Sequence, residues 1–269
     1  MAKRVESPSS INTFKQCKRK YYYNYIEKLP TQGSIHCVRG NIVHSTLENF
    51  YDLDLRNFTL DSYPTQFKIS LQKELINQWG KYKKELSELN MSKEELKPFF
   101  EESMMMVLNW SDHFLGELNS KLVNSSIEEA FKAITPIREK EYKSEKHSIR
   151  GFIDSIHNKD GEIHIIDYKT NNKAEMKQSI KLQLAIYALL YEESHGVLPH
   201  KVGAFFLKYK PHMLEVDKFM VEEAIREIDA IHTHTSTSEL KEDYTRTVTG
   251  LCKWATGQCD FYDTCKPRG

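Results

Sequence analysis

Apolar positions recur at helical spacing through the first fifty residues. Ile11, Phe14, Tyr21, Tyr22 and Tyr25 predict a helix from about Ile11 to a stop near Pro30, with Ser9 or Ser10 as its N-cap. Past the loop TQGSIHCVRG, Val43, Leu47 and Phe50 repeat at spacings of four and three. That predicts a second helix over NIVHSTLENFYDL and sets His44 and Glu48 on one of its faces. From about residue 60 to 132 the helical period continues through FKISLQKELINQWGKYKKEL and FFEESMMMVLNWSDHFLGELNSKL without any catalytic spacing. A helical insertion is expected there, with Met104, Met105 and Met106 as filler between helices.

The period changes at about residue 136. IRGFIDSI and EIHIIDYK are short β-rich runs joined by NKDG, a hairpin pattern. AEMKQSIKLQLAIYALLYEESHG reads as a long amphipathic helix closing at Gly196, KVGAFFLKY as a third strand, and VDKFMVEEAIREIDAIHTHT as a last helix. Strands interleaved with helices imply an α/β core. The expected organisation is N-terminal helices over 1–50, a helical insertion over 51–135, the α/β core over 136–240, and a cysteine-rich tail over 241–269 that packs with the N-terminus.

Composition narrows the class. Lys+Arg and Asp+Glu both number 38 in 269 residues, so the formal net charge is zero, which argues against a basic coat protein or an acidic tail. With 39% hydrophobic residues and only 11 Gly and 8 Pro, the chain should fold rather than act as a disordered linker. No run approaches about 18 apolar residues and the N-terminus carries no signal-like apolar stretch, so a cytoplasmic protein is expected. Reduced thiols are expected in that compartment, and the five cysteines are then a poor disulfide framework. Three lie within the last 18 residues, Cys252, Cys259 and Cys265, while Cys17 and Cys37 lie near the other end. Such splitting suits a four-thiolate metal site that ties the termini together and leaves one cysteine over.

The sharpest chemical pattern is Gly151-Phe152-Ile153-Asp154 followed by Asp167-Tyr168-Lys169. Strand side chains alternate faces, so Asp167 and Lys169 share one side, and the hairpin can bring Asp154 beside them. Two carboxylates and one ammonium suit phosphodiester hydrolysis. The acids hold a hard divalent cation, and the lysine orients or activates water or neutralises developing charge. A salt bridge on a solvated sheet face is the bland alternative. Ile163, Ile165 and Ile166 lead a buried strand straight into Asp167, and charges at such a place need a reason. Near the start, Lys15, Lys18, Arg19 and Lys20 precede Tyr21, Tyr22, Tyr23 and Tyr25, which combines phosphate-pairing cations with rings able to stack on bases. The competing reading is a solvated helix face over buried tyrosines.

These features together resemble the PD-(D/E)XK nucleases of the RecB type, in particular their iron–sulfur exonuclease branch, which includes the CRISPR-associated exonucleases. SSINTFKQCKRKYYYNYI, Gly40-x-x-x-His44-x-x-x-Glu48, GFID, IIDYKT, Gln183-x-x-x-Tyr187 and the cysteine tail follow the family's order from about residue 9 to 265. The stretch between about 52 and 135 carries no motif. The resemblance implies a restriction-endonuclease-like α/β core, with a mixed central sheet flanked by helices, a helical insertion and a C-terminal Cys cluster. It further implies that His44, Asp154, Asp167 and the main-chain carbonyl of Tyr168 ligate Mg²⁺ or Mn²⁺, that Lys169 is the catalytic lysine, and that Gln183 and Tyr187 complete the site. A family glutamate precedes the GFID strand, and both Glu139 and Glu141 fit it. Cys17, Cys252, Cys259 and Cys265 would hold a 4Fe-4S cluster, with zinc as the alternative and Cys37 spare. The tail departs from the family's usual Cys-x-x-Cys pair, with six residues between Cys252 and Cys259 and five between Cys259 and Cys265. The implied activity is a DNA nuclease, most readily a single-stranded DNA exonuclease; the rival is a non-catalytic DNA-binding or scaffold module of the same fold, against which the intact Asp154, Asp167 and Lys169 weigh. No G-x-x-x-x-G-K-[ST] loop is present to power unwinding, so a helicase or a recombination or CRISPR-adaptation partner is expected.

Overall fold

Ser7, not Ser9 or Ser10, starts the first helix. Its hydroxyl accepts from the Ser10 amide, the Ser10 hydroxyl accepts from the Ser7 amide, and Pro8 fills the first helical position, where no N–H is needed. The protein is described here as a computed structural model covering residues 4–238, 240–255 and 257–266. The expected single helix from Ile11 to Pro30 is interrupted. Helix α1 (Pro8–Gln16) stops at Cys17, which is extended at φ −163°, and α2 (Lys18–Tyr21) then runs into a π-helical turn over Tyr22–Ile26. The C-terminal segment holds the break open: the Arg19 amide donates to Thr245 O and its Nε to Tyr244 O.

Helix α3 (Ile35–Phe50) begins six residues before NIVHSTL, capped by Ser34. Helices α4 (Tyr63–Lys81), α5 (Lys83–Glu88), α6 (Lys93–Leu122) and α7 (Ile127–Ile134) follow, and Ser92 and Ser126 start the last two with reciprocal Ser/Glu caps. The sheet then forms from β1 (Ile137–Ser144), β2 (Ile149–Lys159), β3 (Glu162–Lys169), β4 (Lys201–Phe206) and β5 (Pro211–Glu215). Helix α8 (Gln178–His195) crosses from β3 to β4, and α9 (Lys218–Thr237) follows β5. A two-stranded ribbon of β6 (Lys253–Trp254) and β7 (Gly257–Gln258) and the short α10 (Tyr262–Cys265) lie in the tail.

Strand order is β1-β2-β3-β4-β5, antiparallel except for the parallel β3/β4 pair that α8 bridges, so the sheet is mixed. Each face buries a separate core. On one side Ile165, Val202, Ala204 and Phe206 pack with α1, α8 and α9; on the other Ile166, Tyr168, Phe205 and Leu207 pack with α3, α4, α6 and α7. Alternation along β3 therefore directs Asp167 toward α8 and Tyr168 toward α3. Strands β1 and β5 escape the sequence pattern because each is an edge: IREKEYKS is mostly charged, and PHMLE starts on a proline that only an edge tolerates.

Candidate active site

Asp154 and Asp167 face each other across β2 and β3, one step beyond the Ser155/Ile166 pair. Asp154 Oδ2 accepts from the Tyr168 amide at 2.7 Å, so the carboxylate is fixed by the backbone of the neighbouring strand. Helix α3 brings His44 to the same point. Its Nδ1 lies 3.4 Å from Asp154 Oδ2, and its Nε2 lies 3.0 Å from the Tyr168 carbonyl oxygen.

Lys169 Nζ stands 2.6 Å from Asp167 Oδ2 and donates to Gln183 Oε1 at 2.8 Å. Gln183 Nε2 in turn donates to Asp167 Oδ1 at 2.9 Å and to the Tyr187 hydroxyl at 2.8 Å. One amide on α8 thus bridges a carboxylate and an ammonium that already touch, and the fourfold spacing of Gln183 and Tyr187 puts both on the face that meets β3.

Glu139, one of two glutamates the sequence leaves open, belongs to this group. It falls opposite Asp154, between the Arg138/Ser155 and Lys140/Ile153 pairs of β1 and β2. Its φ is +42°, a left-handed conformation inside a strand. At the same point β2 changes phase: Ile149 and Ile153 pack on the α8 side, and so does Ile156. A local irregularity of this kind re-aims side chains. Glu141 turns elsewhere and pairs with Arg150 and Lys143.

Among the described residues, His44, Glu139 and Asp154 form one group whose donor atoms all lie within 4.8 Å of one another. Burial and the Asp154 charge hold the Glu139 carboxyl well above the usual carboxylate range. Burial and the Asp154 charge likewise raise Asp167, and the Lys169 ammonium only partly offsets them. Burial disfavours imidazolium at His44, but the Asp154, Asp167 and Glu139 carboxylates outweigh it and raise that group. Glu139 and Asp167 cling to protons because they crowd against the Asp154 charge, and a site of that kind is short of positive charge. Oxygen donors with one imidazole fit a hard divalent cation.

The cysteines gather elsewhere. Cys17, Cys252, Cys259 and Cys265 line one cavity between the α1/α2 break and the tail, whereas Cys37 is exposed on α3. The Cys259 amide donates to Cys252 O, and the Thr247 amide approaches Cys17 Sγ at 3.5 Å. Of the basic residues before the tyrosines, Lys15 pairs with Glu227 and Lys18 approaches His234 Nδ1 at 3.4 Å. Arg19 is buried on Tyr244 O, and Lys20 is half-buried. Tyr21 and Tyr23 are buried in the core, so those two rings are closed to bases.

Comparison with known proteins follows the same lines. The family model for the PD-(D/E)XK nuclease superfamily matches residues 6–266. The chain is 27% identical over 126 residues to the CRISPR-associated exonuclease Cas4 of Francisella tularensis subsp. novicida, an alignment covering 47% of this chain and 60% of that protein's length. A solved structure of a candidate exonuclease from Eubacterium rectale superposes with a TM-score of 0.48 at 12% identity, covering 98% of this chain and 93% of the other. With a whole-length family match laid over a five-stranded mixed sheet that carries the acid pair and lysine at adjoining strands, this chain belongs to the PD-(D/E)XK nuclease superfamily.

Proposed function

We propose that the chain is a Mg²⁺- or Mn²⁺-dependent deoxyribonuclease that degrades single-stranded DNA from its ends. The observation that carries this reading is the meeting of His44, Glu139 and Asp154 beside Asp167, whose carboxylate is paired with Lys169. His44, Glu139, Asp154, Asp167 and the Tyr168 carbonyl would hold the cation. When bound, it supplies Lewis-acid polarisation of the phosphate and neutralises its charge. Lys169, tethered by Gln183, orients the attacking water and stabilises charge that develops on the phosphoryl oxygens. Gln183 and Tyr187 keep that ammonium and the Asp167 carboxylate at fixed spacing. Exonuclease action is supported by the Francisella relative, and DNA as the substrate by the superfamily.

Cys17, Cys252, Cys259 and Cys265 would hold a 4Fe-4S cluster that staples the two ends of the described chain. The resemblance of the cysteine pattern to the iron–sulfur branch supports a cluster over zinc. Unwinding would come from a separate helicase, or from a recombination or CRISPR-adaptation partner. Among the described residues no helix is long and apolar enough to cross a membrane, and cytoplasmic action fits that.

The test is digestion of end-labelled single strands by anaerobically purified protein with Mg²⁺, Mn²⁺ or chelator. Metal-dependent trimming from an end that Asp154→Ala and Lys169→Ala abolish is expected, with DNA binding retained. Undiminished cleavage by either variant overturns the assignment.

A further inference from the structure

Immediately after Lys169 the chain enters a loop over residues 170–177 that leads into α8. Thr170 to Asn172, Lys173 and Lys177 line one side of an open cleft of about 500 Å³, and His36 and Arg39 from the first turns of α3 line the other. No carboxylate lines this cleft. Lys173 and Lys177 are exposed and make no ion pair among the described residues. Arg39 is 3% exposed; it is held by Glu102 and donates to Thr170 O, yet its Nε has no partner. The loop is braced as well, because Lys208 donates to the Asn172 side chain and the Tyr209 hydroxyl donates to Asn172 O.

Two free lysines on a braced loop, faced by a buried guanidinium from α3 that Glu102 partly neutralises, form a cationic site in fixed register with the catalytic lysine. Successive Cα atoms are about 3.8 Å apart, so the cleft begins one residue from Lys169. The N-terminus of the sixteen-residue α3, capped by Ser34, adds its partial positive charge at the same place. We propose that this cleft binds backbone phosphates of the DNA strand flanking the one being hydrolysed, with Lys173 and Lys177 as the contacting cations. The proposal rests on the nuclease reading above. It assigns the strand's path to the α3/α8 end of the site. A continuous strand, rather than free phosphate, is the occupant favoured by an open cleft contiguous with the reacting centre.

The experiment uses Lys173→Ala/Lys177→Ala in the full chain. Both side chains are exposed, so folding is not at stake, and Lys83→Ala/Lys84→Ala on α5 serves as a control for lost charge. Binding of a labelled single-stranded oligonucleotide by metal-free protein is followed against salt, and cleavage is followed with Mn²⁺. The cleft variant should show a salt dependence shallower by about 0.7 per lost phosphate contact. Its KM should rise by about tenfold while kcat stays within about twofold of the parent. Inorganic phosphate at comparable ionic strength should compete no better than chloride; selective competition would identify a free-anion site and overturn the strand assignment. A cleaving parent with unchanged slope and KM in the cleft variant, or an equal change in the α5 control, overturns the subsite and leaves the nuclease reading standing. A parent that cleaves nothing but loses salt dependence with the two lysines overturns the nuclease reading and keeps the subsite. Absence of DNA binding by the parent overturns both.

Discussion

Glu139 holds a left-handed backbone that costs a non-glycine residue about 1–3 kcal/mol, and strain of that kind persists where the surrounding structure enforces it. Here it aims a carboxylate at His44 and Asp154. Glu139→Gln should lower nuclease activity at limiting metal by about 10–100-fold, whereas Glu141→Gln, which breaks only a surface pairing with Arg150 and Lys143, should leave it unchanged. Metal titrations of the two variants decide it; coinciding curves remove Glu139 from the site. His157, on the opposite face of the sheet, gives a separate stability test. Burial lowers its pKa to about 4, the Glu117 carboxylate opposes that shift, and the Lys159 and His164 charges add to it. The folded value lies below the unfolded value of 6.5, so the unfolded chain takes up the proton first as pH falls. Stability should be unaffected by this group above about pH 6.5 and should fall by about 1.4 kcal/mol per pH unit toward pH 4. Urea unfolding of parent and His157→Gln across this range measures the difference, and parallel curves would show that His157 does not titrate so.

At the scale of elements, α8 decides how closely the site is built. Ten of its residues between Ile180 and Tyr191 are buried, as a helix enclosed by the sheet on one side and α1 and α9 on the other requires. Gly151 on β2 permits that approach. A Cβ there would lie 3.1 Å from both Leu190 Cδ1 and Tyr187 Cε1. Gly151→Ala should push Tyr187 away, loosen the Gln183 tether of Lys169, and cost about 1–3 kcal/mol in overpacking. Steady-state kinetics and a thermal melt should both register it, with kcat down about threefold or more for a small misplacement of Lys169. A variant that melts lower but keeps the parent's kcat would show that Gly151 serves packing alone.

At the scale of the whole molecule, the α1/α2 break and the tail converge on one cysteine-lined cavity. A metal cluster there would close nearly the entire chain into a loop, and its binding free energy would become folding free energy. Replacing Cys17, Cys252, Cys259 or Cys265 by Ala should each remove the visible absorbance of the anaerobic protein and lower its Tm. Cys37→Ala, exposed and outside that cavity, should change neither. A colourless parent with one zinc per chain would reject iron and keep the staple; a metal-free parent with an unchanged Tm in all four variants would remove the staple altogether.

The strongly periodic parts of this protein were readable from the chain alone. The hairpin turn is written in Asp160-Gly161, both at positive φ as a tight primed turn needs. Helix α8 ends at Gly196 in the left-handed region, as its position after the last periodic residue foretells. The shared face of Asp167 and Lys169 follows from a period of two, and the shared face of Gln183 and Tyr187 from a period near four. Other features have no local cause. Under regular alternation Glu139 and Glu141 would face the same way, so only the left-handed turn imposed at Glu139 separates them. Cys17 interrupts its helix because residues 244 and 245, more than two hundred positions away, supply the hydrogen bonds that the break leaves open. Edge strands β1 and β5 exist because neighbours pair with them, since their own composition offers little strand propensity. What a side chain does on a single element is set by spacing; which side chains from distant elements meet is set by packing, and the candidate site is such a meeting.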